Sequence, residues 1–508
     1  MAQVLYDFYI SSSAIPATDT KVFGYLAQEE NEDAMDAANA AVRAYKGNGD
    51  KGSKAFALCT VAEVYIVTGD PEQAQKLANE AYEYFVETKN EGGQARAQLV
   101  LAKAQLSEFG VDAALESVED VIALASRIAD IHLEAISLYT VASWQAVFKG
   151  STESANGSAN KMMALFSDDT KEYSMALLLQ ADIFNVTGKY QSAFTVASKA
   201  AENFEKLGMT GKQATAVLVA CSAGFASGSS SKAYTMADDG FALYNKVGDT
   251  KGHASLQIEV AKARLRDEEY SAAEEVAEDA LVTCKKYDYE AKEADVLTLL
   301  SSIRLAMTIA DQSEEDVAGE DLDTESATEA AMDALVIYRN LKNRNGQAQA
   351  LMKLAQVRYF SAAVDMARMA ADDAQMIFRD TGDKSGEGAA VMMIAQVYLA
   401  EEAFEQAKRT ANKALMIFQK CSDQEGVDQA SAFLEEIKEK QINAEVEGKK
   451  SKKIESAVTP QGIIRVETKP DDARHLLSYF AEMNDQEENE LSTFDISAWA
   501  NADLSLTA

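Results

Sequence analysis

The chain has 508 residues, 47% of them apolar, and a formal net charge of −34. A chain this long can bury several cores or one extended array, but so acidic a surface excludes nucleic acid as a main partner, because phosphate binding needs a basic face. Four prolines and 26 glycines are too few for a loop-rich or all-β chain, whereas abundant Ala, Leu, Met, Glu and Lys favour helix.

Residues 1–20 form an N-terminal extension. Its VLYDFYI stretch (4–10) is apolar and aromatic, suited to cap the first helices or to lie in a groove, since an open solenoid end needs covering. The first residues lack the basic region of a secretory signal and the Arg-rich face of a transit peptide. No apolar run reaches the ~18 residues of a membrane span, so no membrane insertion is expected. Cys59, Cys221, Cys284 and Cys421 stand far apart with no CxxC. They read as buried free thiols in a reducing compartment, which makes the expected location cytoplasmic.

From residue 21 to 440 the chain repeats itself. A small anchor residue recurs as Ala62, Ala102, Ala142, Ala181, Ala220, Ala261, Ser301, Ala355 and Ala395, with steps of 40, 40, 39, 39, 41, 40, 54 and 40. A second pattern, a triplet spaced 4 and 3, shares that period: Ala74/Ala78/Ala81, Ala193/Ala197/Ala200 and Ala407/Ala411/Ala414 are examples. Such spacings put three alanines on one helix face, and an alanine stripe lets a neighbouring helix approach closely. Each unit is therefore predicted to hold two helices, A and B. Thr68-Gly-Asp-Pro71 is a predicted A–B turn, with Pro71 at a first-turn position. GDTKG (248–252) and GDKSG (382–386) are predicted joints between units. A lone helix pair cannot bury its apolar face, so the stack is the core. The expectation is all-α: an α-solenoid of about ten two-helix units. In unit four the pattern weakens, with Ser154 and Lys161 at expected alanine positions, which predicts a bent or shortened helix.

The 54-residue step carries an acidic insertion, DQSEEDVAGEDLDTES (311–326), with eight acids and no base. A calcium loop fails there: Ser326 stands where the turn needs Gly, and Met332 where a bidentate Glu is needed. A solvated loop is the expectation. Residues 441–508 break the period. EGKKSKKIES (447–456) reads as a solvated basic linker. GIIRVE (462–467) is a candidate strand and DDARHLLSYFAEM (471–483) a candidate amphipathic helix with Asp471 as N-cap. The acidic run NDQEENE is followed by Phe494, Ile496 and Trp499, the pattern of a short docking peptide.

A small residue on helix A, an Ala 12 residues later and another 7 residues after that, as in Ala62/Ala74/Ala81 and Ala395/Ala407/Ala414, with helix-A aromatics Tyr65 and Tyr398, resembles the tetratricopeptide repeat (TPR). The unit here is 40 residues instead of 34 and lacks the closing proline. With its GDxxG joints it looks like the variant seen in Pins/LGN-type adaptor arrays. The resemblance implies a right-handed superhelix with a groove lined by A helices. Carried over by spacing, the groove residues are Met175, Leu178, Leu179, Val217, Leu218, Phe225, Ile258, Lys262 and Arg266, and then Met352, Lys353, Tyr359, Phe360, Met392 and Met393. Packing between adjacent A helices is the competing reading for each. An apolar groove with scattered bases would take an amphipathic helix or an acidic extended peptide of a partner protein. The family's clamp for chaperone tails needs asparagine at the position after the anchor; this chain has Glu63, Lys103, Ser143 and Asp182 there, so that partner is not expected.

No chemistry is signalled. His132, His253 and His475 lie far from one another and from cysteine, so no metal site is expected. GNGDKG (47–52) opens no βαβ unit and reads as an interhelix loop. No catalytic residue and no cofactor are expected. The leading reading is a non-enzymatic scaffold or adaptor, with the tail a possible occupant of the groove; the alternative is a fixed structural subunit of a large assembly.

Overall fold

A computed structural model describes residues 21–23, 25–26, 31–147, 151–310, 324–421 and 423–455. The N-terminal extension, most of the acidic insertion, and the tail with Phe494, Ile496 and Trp499 lie outside the described residues. The chain divides into two compact units between Leu256 and Gln257.

In chain order the first unit contains α1 (Asn31–Asn48), α2 (Lys51–Val67), α3 (Pro71–Glu87), α4 (Glu91–Ala104), α5 (Leu106–Arg127), α6 (Ile131–Val147), α7 (Thr152–Ala164), α8 (Lys171–Val186), α9 (Tyr190–Lys206), α10 (Thr210–Ala226) and α11 (Ser230–Val247). The division falls within α12 (Thr250–Arg266). The second unit continues with α13 (Tyr270–Lys286), α14 (Glu290–Ala310), α15 (Glu325–Asn340), α16 (Arg344–Phe360), α17 (Val364–Thr381), α18 (Lys384–Ala400), α19 (Phe404–Cys421) and α20 (Gln424–Glu455). Among the described residues every element is a helix, and each unit is an all-α helical-repeat stack.

Even-numbered helices are the A helices and odd-numbered ones the B helices. Each packs on its chain neighbours, and A helices also touch the next A helix, as α2 with α4 and α16 with α18. The A layer is thus the inner layer of each stack. All nine anchors from Ala62 to Ala395 are at most 1% exposed. Around α3, Ala74, Ala78, Ala81 and Phe85 pack with Leu58, Ala62, Val100 and Ala104. The same arrangement recurs around α19 with Ala407, Ala411, Ala414 and Phe418.

Local sequence explains the turns. At the A–B turn, Gly69 takes φ 80° and Asp70 accepts from Gln73 N at 3.0 Å, with Pro71 opening α3. Joints between units use a different device. An aromatic near the end of a B helix is followed five residues later by Asn or Asp and three after that by Gly. Phe85/Asn90/Gly93, Tyr244/Asp249/Gly252, Tyr338/Asn343/Gly346, Phe378/Asp383/Gly386 and Phe418/Asp423/Gly426 all follow it. The Asx side chain caps the next A helix by accepting from the glycine N–H at 2.8–2.9 Å. The aromatic lies on the glycine itself: a Cβ at Gly346 would fall 2.3 Å from the Tyr338 ring, and one at Gly93 2.3 Å from Phe85. Glycine is required there by contact distance, not by backbone conformation.

Three expectations change. In unit four the stripe is present one residue later, as Ala155, Ala159 and Met162, all fully buried. Ser154 and Lys161 are exposed neighbours, so no alanine has been replaced; α7 is short at 13 residues. Cys59, Cys221 and Cys284 are buried free thiols, but Cys421, at the end of α19, is exposed. The basic segment from 447 is helical to Glu455, as the continuation of α20.

Candidate partner-binding surfaces

The A helices that were expected to line a groove are apolar nearly all round, and such a helix is buried on all sides. Thirteen of the 17 residues of α18 are buried, whereas α19 buries a single stripe, Ala407, Ala411, Ala414 and Phe418. In the first unit Met175, Leu178, Leu179, Val217 and Phe225 are buried and Leu218 is half-buried. Phe225 is taken up by Tyr234, with ring centroids 4.9 Å apart. In the second unit Ile258, Met352, Lys353, Met392 and Met393 are buried, while Lys262, Arg266, Tyr359 and Phe360 are half-buried. The buried members pack within the stack. The accessible inner surface narrows to Leu218 in one unit and to Lys262, Arg266, Tyr359 and Phe360 in the other.

Lys262 Nζ pairs with Glu259 one turn away at 3.2 Å. Tyr359 and Phe360 meet edge to face at 5.5 Å. Phe360 also packs on Leu305, Ile309, Ala327 and Val357, which leaves the Tyr359 ring as the more displayed of the two.

The positions after the anchor form a buried polar ladder. Lys103 Nζ donates to both carboxylate oxygens of Glu63, at 3.0 and 3.2 Å, with both side chains out of water. Burial pushes the Lys103 ammonium below its ordinary pKa, and the Glu63 carboxylate opposes that shift. Further along the same unit, Asp182 is 2% exposed and its Oδ1 has no hydrogen-bond partner; Asn185, one turn on, has none for Oδ1 or Nδ2. Burial raises the Asp182 carboxyl to about 7.

The largest accessible apolar side chains lie elsewhere, on the outer faces of B helices. Val336, Met376 and Met416 are 52%, 57% and 57% exposed. They recur at 40-residue spacing, two positions after the last alanine of each triplet. The repeat spacing alone would have found them; the focus on A helices passed over them.

His132 stacks near Phe166 at 6.3 Å and His253 on Phe241 at 4.9 Å. Among the described residues no group of three or more His, Cys, Asp or Glu is placed to hold a metal ion, and no helix is long and apolar enough to cross a membrane.

No protein-family model and no curated protein matches the sequence. Solved structures give weak likenesses. A Rap protein complexed with competence and sporulation factor is 12% identical, with a TM-score of 0.43 over 77% of this chain and 99% of that one. Aspartyl phosphate phosphatase F from Bacillus subtilis is 10% identical, with a TM-score of 0.46 over 70% of this chain and 92% of that one. A signal transduction ATPase with a tetratricopeptide repeat sensor from Pyrococcus horikoshii is 14% identical, with a TM-score of 0.44 over 71% of this chain and 55% of that one. The fold assignment rests on the helix pairs described above, not on these likenesses.

Proposed function

We propose that the chain is a non-enzymatic, cytoplasmic adaptor that binds protein partners, as helices or extended peptides, on the faces of a TPR-like array of the Pins/LGN type. The observation that carries this reading is the stacking itself. Repeated amphipathic helix pairs bury one alanine stripe each and leave a long, regular surface whose accessible apolar side chains have no role in the core. Tyr359 and Phe360, beside Lys262 and Arg266, form the inner-face part of that surface. The acidic tail has the complementary chemistry, and in this reading Phe494, Ile496 and Trp499 compete with a partner for that face.

The test is a partner-affinity comparison with full-length protein, wild type beside Phe494→Ser/Ile496→Ser/Trp499→Ser. Tighter binding by the variant supports a regulatory tail; equal affinity removes the tail from the account. The structural-subunit alternative is tested separately by elution from native lysate. An adaptor elutes alone and is stable, while a subunit elutes only in one large complex.

A further inference from the structure

We propose that the outer face of the second unit carries a separate docking surface for an acidic amphipathic helix of a partner protein. This rests on the adaptor reading and names a second surface with the chemistry of its ligand. Val336 on α15, Met376 on α17 and Met416 on α19 occupy the same repeat position and are each more than half exposed. Three equivalent apolar residues on successive B helices make a ribbon that crosses those helices. Two of the three are methionines, whose unbranched, polarizable side chains adapt to different partner shapes.

The charge beside the ribbon states what covers it. One turn towards the C-terminal end of each helix stands a base: Arg339 on α15, Arg379 on α17 and Lys420 on α19. Arg344, opening α16, adds a fourth. On the opposite flank are Asp333 and Asp373, so the surface is polarised, with its basic edge at the C-terminal ends of the B helices. A basic edge is exceptional in a chain of net charge −34. Some of this charge is already engaged: Arg379 Nε donates to Glu387 at 3.0 Å and Arg344 pairs with Asp380 at 3.3 Å. Those contacts hold the guanidinium groups in place at the edge. Beside Met376 lies a surface pocket of about 430 Å³ whose lining includes Arg339, Arg344, Leu351, Ile377 and Arg379. Its floor is apolar and its rim basic, which suits an apolar anchor followed one turn later by a carboxylate. A helix with an apolar stripe and Asp or Glu along one flank meets both requirements.

The probe is a synthetic acidic amphipathic helix of about 20 residues, long enough to cross the ribbon at a rise of about 1.5 Å per residue. It is titrated against the full-length protein, and methionine oxidation by dilute peroxide is followed by mass spectrometry. Without peptide, Met376 and Met416 are expected to oxidise rapidly. At saturation both are expected to slow by at least about fivefold, while half-buried Met209, in the first unit, is unchanged. Replacing Met376→Glu and Met416→Glu together, or the peptide's Glu by Gln, is expected to weaken binding by at least about tenfold. Protection elsewhere, or a Gln peptide that binds equally well, would overturn the proposal and leave the adaptor reading standing. Slow oxidation of Met376 and Met416 before peptide is added would also overturn it, because the tail or a second copy would then own the surface.

Discussion

Lys103 and Glu63, 40 residues apart and at the same place in consecutive units, form an ion pair with side chains 0% and 1% exposed. The positions that would face a ligand in a charged clamp are here turned against each other across neighbouring A helices α2 and α4. Taking both charges out of water costs much of what their attraction returns.

Lys103→Met alone should therefore destabilise the protein by about 3–5 kcal/mol, because it strands the Glu63 carboxylate in the core. Glu63→Leu with Lys103→Met should return stability to within about 1 kcal/mol of wild type or above it. Denaturant melts of the three proteins check this, and equal losses in the single and double variants would show that the pair is not coupled.

Asp182 gives stability a pH dependence of the less usual sign. Its folded-state pKa is raised to about 7 from 3.8 by burial, so folding favours the protonated acid. Its contribution is present below about pH 4 and is lost as pH rises towards 7. Asp182→Asn should gain roughly 2–3 kcal/mol more at pH 8 than at pH 5 relative to wild type. Melts at those two pH values measure the difference; a gain independent of pH would mean that Asp182 is ionised throughout.

The joint between units predicts an alanine substitution that harms a helix. Gly346→Ala improves helix propensity, but its Cβ would fall 2.3 Å from the Tyr338 ring. Overpacking should win, with a loss of about 1–3 kcal/mol. Pairing it with Tyr338→Leu should cost less than the sum of the singles, since the two residues are in contact. Strict additivity in a double-mutant cycle would refute the contact.

Thiol labelling separates the cysteines. Cys421 is exposed, while Cys59, Cys221 and Cys284 are buried. Burial also pushes the Cys284 thiol up to about 11, leaving little thiolate to react. Native protein should label at Cys421, with the other three reacting only in denaturant.

Much of the fold was legible because small residues must recur where helices approach closely. Ala62, Ala74 and Ala81 fix the pairing of α2 and α3 without help from distant sequence, and Pro71 fixes where α3 starts. Unit four was misread by one residue because the turn before α7 is longer, and a fixed 12-residue offset cannot detect that. The surfaces were less legible. Met392 and Met393 have the composition of a binding site, yet periodicity along α18 cannot distinguish a helix buried on every side from one that lines a groove. Val336, Met376 and Met416 were readable from their spacing, but only burial shows that they face outward. Glu63 and Lys103 could be aligned as repeat equivalents, but not recognised as partners before the A helices were seen in contact.

The central claim, that the array acts by binding proteins on its accessible faces, is most directly tested by affinity for a purified partner. Full-length wild type, Tyr359→Ser/Phe360→Ser and Met376→Glu/Met416→Glu should be compared by calorimetric titration, with helicity as a check on folding. At least one variant should lose about tenfold or more in affinity while keeping its helicity. Affinity unchanged in both folded variants would contradict the account.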